Sequence, residues 1–179
     1  MQTKLARRLW TPRPYLRCDR GALARELAPA LDRLYPGGSS WLERKLDEIE
    51  TGRSGAFVVR HRSTLAGVAI ETPKEAGRVK LSTLWVHRAF RRRGIGEALL
   101  SQRCEHWRLK ETPRVDVTCA SSVSQGLTPL FHALGFSLFQ IDRNRYGEGR
   151  HEYVYSWFPD SSPDCVRAPK TAFAVVATA

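Results

Sequence analysis

The sequence has few cysteines, and none of them stands at metal-binding spacing. The four cysteines are scattered and form no C-x-x-C motif: Cys18, Cys104, Cys119 and Cys165. A structural zinc cage needs such paired ligands, so no metal site is expected. Unpaired cysteines are typical of a reducing compartment, and we expect a cytoplasmic protein.

Long apolar runs are also missing. Every early stretch that could serve as a signal peptide is interrupted by arginine, at Arg7, Arg8, Arg13, Arg17, Arg20 and Arg25. No segment approaches the roughly 20 apolar residues that a transmembrane helix needs. No association with a membrane is therefore expected.

Acidic residues are scarce relative to basic ones. The chain has 18 Asp and Glu against 29 Lys and Arg, which is a formal net charge of +11. Clustered basic residues could bind nucleic acid by neutralising its phosphates. Here they are dispersed among acids, as in residues 42–48, and no RNA-binding or helix-turn-helix signature is present. A solvated basic surface is favoured, and an RNA or an acidic substrate is left open.

The remaining composition fits a globular protein. With 179 residues, 42% of them hydrophobic, the chain can bury a sizeable core in one domain. We expect that domain to span residues 1–158. Residues 159–179 pass from Pro, Ser and Asp to small residues, which predicts a disordered C-terminal tail.

Hydrophobic periodicity and turn signals predict an alternation of helices and strands. Helices are predicted over residues 22–34, from Ser39 or Ser40 to about 49, from about 95 to 107, and over 126–134. Strands are predicted over residues 56–60, 65–71, 79–86, 115–119, 136–141 and 151–158. The first twenty residues are expected to form an irregular lead-in or a first edge strand.

Residues 79–107 carry the most informative pattern. Residues 79–86 alternate with the period of a strand, and a buried helical stripe follows at Ile95, Leu99, Leu100, Cys104 and Trp107. Between them, residues 91–96 read RRRGIG, where the helix would present unpaired backbone N–H groups. Glycine lets the backbone approach a ligand closely, and arginine adds charge-assisted hydrogen bonds to phosphate. This turn therefore predicts a pyrophosphate site.

Two common phosphate-binding motifs do not fit this turn. A P-loop needs Gly-Lys followed by Ser or Thr, whereas Gly96 is followed by Glu97 and Ala98. A dinucleotide fingerprint needs a third glycine, and that position is Leu99.

The order of a strand with Leu84-Trp85-Val86, a short loop and R-x-x-G-x-G resembles motif A of the GNAT superfamily of acyl-CoA N-acyltransferases. Downstream, residues 130–136 (LFHALGF) resemble the family's helix-to-strand junction L-Y-x-x-x-G-F. The resemblance implies an α/β (α+β) fold, with a mixed, mostly antiparallel central sheet flanked by helices. It also implies acetyl-CoA or another acyl-CoA as co-substrate and a primary amine as acceptor.

The resemblance further implies where coenzyme A binds. The backbones of Leu84 and Val86 would hold the pantetheine, with one N–H there as oxyanion donor. The pyrophosphate would lie on the backbone of Arg91, Arg92, Arg93, Gly94, Ile95, Gly96, Glu97 and Ala98. On the later helix, Ser124 and Phe131 occupy two further cofactor-contacting positions.

The family's proton donor and acceptor are not evident in this chain. Phe131 stands where the thiolate-protonating tyrosine is usual, and Ser124 stands where asparagine is common. The other candidate donors are Ser124 itself, Cys119, Tyr146, Tyr153 and bound water, with His132 expected at the surface. Glu71 is a candidate general base whose alternative is a solvated hairpin residue. Lys80 could orient an acidic substrate or face solvent.

The sequence thus predicts an acyl-CoA-dependent N-acetyltransferase that acts on a primary amine of a small molecule or protein. One alternative is an RNA-directed enzyme that acetylates aminoacyl-tRNA, as in toxin systems. The charge favours this alternative and the absence of tyrosine at Phe131 weakens it. The other alternative is a CoA-binding module without catalysis. A homodimer is left open.

Overall fold

The computed structural model describes residues 10–159 of the chain. The helices there are α1 (Arg20–Leu34), α2 (Gly38–Glu50), α3 (Ile95–Leu109) and α4 (Ser121–Ala133). The strands are β1 (Arg13–Pro14), β2 (Gly55–His61), β3 (Thr64–Pro73), β4 (Val79–Val86), β5 (Val115–Ala120), β6 (Ser137–Asp142) and β7 (Glu152–Trp157). The predicted C-terminal tail, except for Pro159, lies outside the described residues, as does Cys165.

The strands form one sheet in the order β1-β2-β3-β4-β5-β7-β6. Every neighbouring pair is antiparallel except β4 and β5, which run parallel. A parallel pair needs a crossover connection, and α3 provides it between the end of β4 and the start of β5. The expectation of a mixed, mostly antiparallel sheet flanked by helices is confirmed.

Helices cover both faces of this sheet. On one face, Leu23, Leu27 and Leu31 of α1 pack with α2 and with side chains of β2 and β3. On the other face, α3 and α4 pack against a second apolar cluster. The helical stripe predicted for α3 is buried there in full, at Ile95, Leu99, Leu100, Cys104 and Trp107. We refer below to the α1/α2 face and the α3/α4 face.

α3 approaches the sheet closely at Gly67 of β3. A Cβ atom at this position would lie 2.6 Å from Ile95 Cγ2 and 3.3 Å from Leu99 Cδ1. A side chain there would push the first turn of α3 away from the sheet. Gly67 therefore helps to set the position of the loop that precedes α3.

Two boundaries differ from the sequence prediction. α4 begins at Ser121 rather than at residue 126, because Val123 and Leu127 pack against the core of the α3/α4 face. This packing outweighs the low helix propensity of the serines and of Gly126 in the first turns. The lead-in contains a short edge strand, in which Arg13 and Pro14 pair with Val58 and Phe57.

The described cysteines, Cys18, Cys104 and Cys119, are free thiols. Within residues 10–159, no group of three or more His, Cys, Asp or Glu side chains is arranged to hold a metal ion. No helix in this part of the chain is both long enough and apolar enough to span a membrane.

Candidate functional site

The parallel strands β4 and β5 pair only at their beginnings and then separate. Val79, Lys80 and Leu81 of β4 pair with β5, and no pairing between the two strands continues beyond Leu81 and Val117. Between β3 and β4 the register shifts so that Ser82 is an extra residue, a β-bulge. We call the opening beyond Leu81 and Val117 the β4–β5 slot. An extended molecule can enter it and pair with the free edge of β4 like an added strand.

A network of buried and half-buried polar side chains supports the bulge from the α1/α2 face. Ser82 Oγ lies 3.0 Å from Thr72 Oγ1, which accepts a hydrogen bond of 3.0 Å from Lys45 Nζ. Lys45 is 7% exposed and is also paired with Glu48, while Ser54 Oγ donates to Glu48 Oε2 at 2.8 Å. Because each member has a partner, this network can hold the bulge in one conformation.

Residues 91–96, which we call the arginine–glycine loop, lead into α3 beside the end of β4. Gly94 precedes the helix with φ of 82°, in the left-handed region that glycine adopts without strain. Within residues 10–159, the backbone N–H groups of Arg93, Gly94, Ile95 and Gly96 donate no hydrogen bond to protein. A Cβ at Gly96 would lie 3.2 Å from Leu130 Cδ2, so the space around it is small. These unpaired donors and the arginine side chains fit a pyrophosphate.

The N-terminal segment holds this loop in place. The indole Nε1 of Trp10 donates a hydrogen bond of 2.7 Å to the carbonyl oxygen of Arg93. The Trp10 ring also contacts Phe90, with centroids 6.1 Å apart, and Phe90 lies 5.3 Å from the His61 ring. The sequence shows no local pattern for this contact, because Trp10 and Arg93 are 83 residues apart.

Glu71 lies on the α3/α4 face and is fully engaged. It accepts hydrogen bonds of 3.0 and 2.8 Å from Arg103 and one of 3.0 Å from Trp107 Nε1. Arg103 is 3% exposed and its guanidinium lies 3.8 Å from the centre of the Phe57 ring. The expectation of a solvated hairpin residue is therefore wrong. The role of general base stays a prediction, and these hydrogen bonds favour a structural role instead.

The two candidate positions on α4 are buried. Ser124 is 7% exposed, and its hydroxyl donates a hydrogen bond of 2.8 Å to the Ser121 carbonyl within the helix. Phe131 is wholly buried between Phe136 and Tyr155, with ring centroids 5.7 and 5.1 Å away. Its ring therefore presents no exposed edge to the β4–β5 slot.

The remaining proton-donor candidates differ in exposure. Burial raises the pKa of the Cys119 thiol to about 11, so this side chain stays neutral at physiological pH. His132 is exposed, as expected.

Lys80 is half-buried and does not simply face solvent. Burial lowers the pKa of Lys80, and the nearby Glu152 opposes that shift in part.

A small cavity of about 180 Å³ opens where β5 ends and α4 begins. Its walls come from the end of α1, the β5–α4 junction and the connection between β6 and β7. The lining residues are Arg33, Leu34, Ala120, Ser121, Ser122, Tyr146, Gly149, Arg150 and His151. We call it the β5-end cavity. The sequence did not indicate it, because its walls come from three segments that only the fold brings together.

A buried carboxylate lies next to this cavity. Glu152 is 4% exposed and pairs in the sheet with Ala120, which lines the cavity. Its ion pair with Arg145 is long, at 3.9 Å. Burial, and then the charge of Glu152, raise the pKa of the adjacent Tyr146. The sequence offered no signal for Glu152, since a single acid at the start of a strand is common on solvated surfaces.

Comparison with known protein families identifies one family whose sequence model matches this chain. A sequence model of the acetyltransferase (GNAT) family matches residues 22–136. No curated protein matches the sequence.

Several solved structures share the fold. A GNAT-family protein from Desulfovibrio desulfuricans superposes with a TM-score of 0.71 at 18% identity, over 84% of this chain and 99% of that one. The ribosomal-protein-S18-alanine N-acetyltransferase from Escherichia coli gives 0.69 at 18% identity, over 86% and 96%. A GNAT family acetyltransferase from Elizabethkingia anophelis with acetyl-CoA bound gives 0.64 at 15% identity, over 83% and 97%. At these identities the likeness is one of fold.

Proposed function

The chain belongs to the GNAT family of acetyltransferases, and from this premise we propose that it transfers the acetyl group of acetyl-CoA to a primary amine of a small molecule or a protein. The observation that carries the proposal is the position of the β4–β5 slot beside the arginine–glycine loop. The extended pantetheine arm of acetyl-CoA, which carries the thioester, and the pyrophosphate to which that arm is joined fit these two neighbouring features.

The chain's own backbone would bind most of the acetyl-CoA. The pantetheine lies along the free edge of β4 at Leu84 and Val86, in the manner of an added strand. The pyrophosphate accepts hydrogen bonds from the loop N–H groups between Arg93 and Gly96, and Arg91 and Arg92 add positive charge. Most of these contacts need no particular side chain, so they depend on the bulge and the loop conformation.

The transfer exchanges one bond to the acetyl carbon for another. The amine nitrogen attacks the thioester carbonyl carbon, the new N–C bond forms, the C–S bond breaks, and sulfur leaves as a thiol. A backbone N–H of β4 stabilises the negative charge on the carbonyl oxygen, and such a donor typically contributes ~3 kcal/mol.

Two protons must also move. The amine loses one to a base, for which Glu152 is the buried carboxylate nearest the end of β5. The sulfur gains one, and because Phe131 has none to donate, we assign that role to water.

The proposal is tested by measuring CoA binding and thiol release together. Titration calorimetry should show CoA binding to the wild-type protein, and the wild-type protein should release CoA thiol from acetyl-CoA when an amine is present. Gly96→Glu should abolish both, because the side chain adds negative charge and bulk where the pyrophosphate lies. Gly126→Glu is the matched control, since Gly126 has no atom within 4 Å of a Cβ position. Circular dichroism verifies that both variants are folded. Unchanged CoA affinity in folded Gly96→Glu would contradict the assignment of the loop.

A further inference from the structure

We propose that the acceptor is a small amine that also carries a carboxylate, and that Arg33 and Arg150 bind this carboxylate in the β5-end cavity. The inference rests on the proposed function, because it names the substrate class of the same site. It derives from the charges around the cavity and from their positions relative to the end of β5.

The walls of the cavity carry positive charge without acidic residues. Arg33 and Arg150 both line it, and none of the lining residues is Asp or Glu. Ser121, Ser122 and Tyr146 add hydroxyl groups that can donate hydrogen bonds to an oxygen anion. A small space with two guanidinium groups and several hydroxyl donors favours a carboxylate over a neutral or positively charged group.

Some arginines in residues 10–159 are paired with acidic side chains, and these two belong to the group that is not. In the described part of the chain, neither Arg33 nor Arg150 forms an ion pair. Arg20, by contrast, contacts Glu43, Asp47 and Glu50 within 3.2 Å.

Arg150 is nevertheless held in position. Its Nη2 donates a hydrogen bond of 2.5 Å to the carbonyl oxygen of Leu34, which fixes the β6–β7 connection against the end of α1. Among residues 10–159, the other donors of its guanidinium form no hydrogen bond. Both positive charges line the same small cavity, so a bound carboxylate could interact with the two guanidinium groups together.

A negative charge lies at the sheet end of the same region. Glu152 pairs in register with Ala120, which forms part of the cavity wall. Arg145 lies 3.9 Å away, which is too far for a hydrogen bond, and Tyr146 forms a side-chain hydrogen bond with Glu152. A carboxylate has about four acceptor positions, so Glu152 can also accept a hydrogen bond from an ammonium group. Arginines in the cavity lining, together with a carboxylate on the adjacent strand β7, suit a molecule with both charges. Its amine would point towards β5 and its carboxylate towards Arg33.

The test compares amines with and without a carboxylate. Glycine, β-alanine and lysine are paired with methylamine, ethylamine and cadaverine, which differ from them only by the missing carboxylate. Release of the CoA thiol is followed with acetyl-CoA as donor. In at least one pair, the carboxylated amine should have a kcat/KM about tenfold or more above its partner, the size expected from charge-assisted hydrogen bonds.

Variants assign this preference to the cavity. Arg33→Gln should reduce the ratio of kcat/KM within the preferred pair towards one, and Arg33→Lys should retain part of it because the charge remains. Arg143→Gln is the matched control, since Arg143 is an exposed arginine in the same β6–β7 connection and lies outside the cavity lining. This control should keep the wild-type ratio.

The possible outcomes separate the two proposals. A wild-type enzyme that acetylates these amines with equal kcat/KM in every pair overturns the carboxylate inference and leaves the acetyltransferase proposal standing. An Arg33→Gln enzyme that keeps the full wild-type preference also overturns it. If CoA does not bind and no amine reacts, the proposed function fails. In that case, calorimetric titration of lysine and of cadaverine into the protein tests the carboxylate inference by itself. Equal affinity for the two overturns it.

Discussion

Replacing Glu71 by glutamine should destabilise the fold and leave the rate of acetyl transfer per folded molecule unchanged. Glu71 accepts three hydrogen bonds, two from Arg103 and one from Trp107. Glutamine keeps one oxygen acceptor, but it brings an NH₂ group towards the guanidinium and removes the negative charge. Arg103, only 3% exposed, would remain buried without a counter-charge.

The size of the effect follows from this geometry. Removing one partner of a buried ion pair costs about 3–5 kcal/mol. The Glu71 side chain is 17% exposed and Arg103 keeps its contact with the Phe57 ring, so we expect the lower end, about 3 kcal/mol. For a chain of this size each kcal/mol shifts the melting temperature by about 2–4 °C, which gives a decrease of about 6–12 °C.

Urea unfolding and acetyl-CoA turnover should be measured on the same preparations. Glu75→Gln is the control, because Glu75 is exposed and forms no ion pair within residues 10–159, and its unfolding free energy should change by less than about 0.5 kcal/mol. Combining Glu71→Gln with Arg103→Met should recover much of the lost stability, since the uncompensated charge is removed. The reasoning is refuted if Glu71→Gln keeps wild-type stability and loses turnover, which would make Glu71 the general base.

Two further predictions concern the arginine–glycine loop and strand β4. Trp10→Phe keeps the ring contact with Phe90 and removes the hydrogen bond to the Arg93 carbonyl, so the KM for acetyl-CoA should rise about fivefold with little change in kcat. An unchanged KM would show that the loop holds its shape without Trp10. Burial lowers the pKa of Lys80 in the folded protein, so the unfolded chain binds this proton more tightly. The stability of the wild-type protein should therefore rise with pH between the lowered pKa and about 10.4, the pKa of a free lysine. Lys80→Met should be more stable than wild type at neutral pH, and its stability should no longer rise over that pH range. Urea unfolding at several pH values measures this, and a free energy of unfolding that rises with pH as steeply in Lys80→Met as in wild type would contradict the prediction.

Local patterns were sufficient to predict the order of the main helices and strands and the presence of the arginine–glycine loop before α3. The stripe of α3 repeats at helical spacing, and β4 alternates with a period of two, because each element buries one face. The arginine–glycine loop could be recognised because its position before a helix makes unpaired N–H groups inevitable whatever the rest of the chain does. The same residues carried the family resemblance, and the matching family model confirmed it.

The tertiary structure determined the features that depend on contacts between residues distant in the sequence. Whether Glu71 is solvated or buried depends on Arg103 and Trp107, which lie more than thirty residues away on α3. The extra residue in β4 became visible only in its register with β3, because a bulge is a property of two strands. The start of α4 could not be predicted for a related reason: its first turns are stabilised by core packing and not by helix propensity.

The β5-end cavity is the clearest case of this division. Arg33 lies in the last turn of α1, Arg150 lies in a loop more than a hundred residues later, and Ala120 is the last residue of β5. Each is ordinary in its own segment, and the sequence offered only a dispersed positive charge. The fold gathers these two arginines around one small cavity, and the residues that line it include no Asp or Glu. The composition therefore gives only the net charge of the protein. The packing of α1 against the β6–β7 connection determines which arginines line the cavity where we propose that a substrate binds.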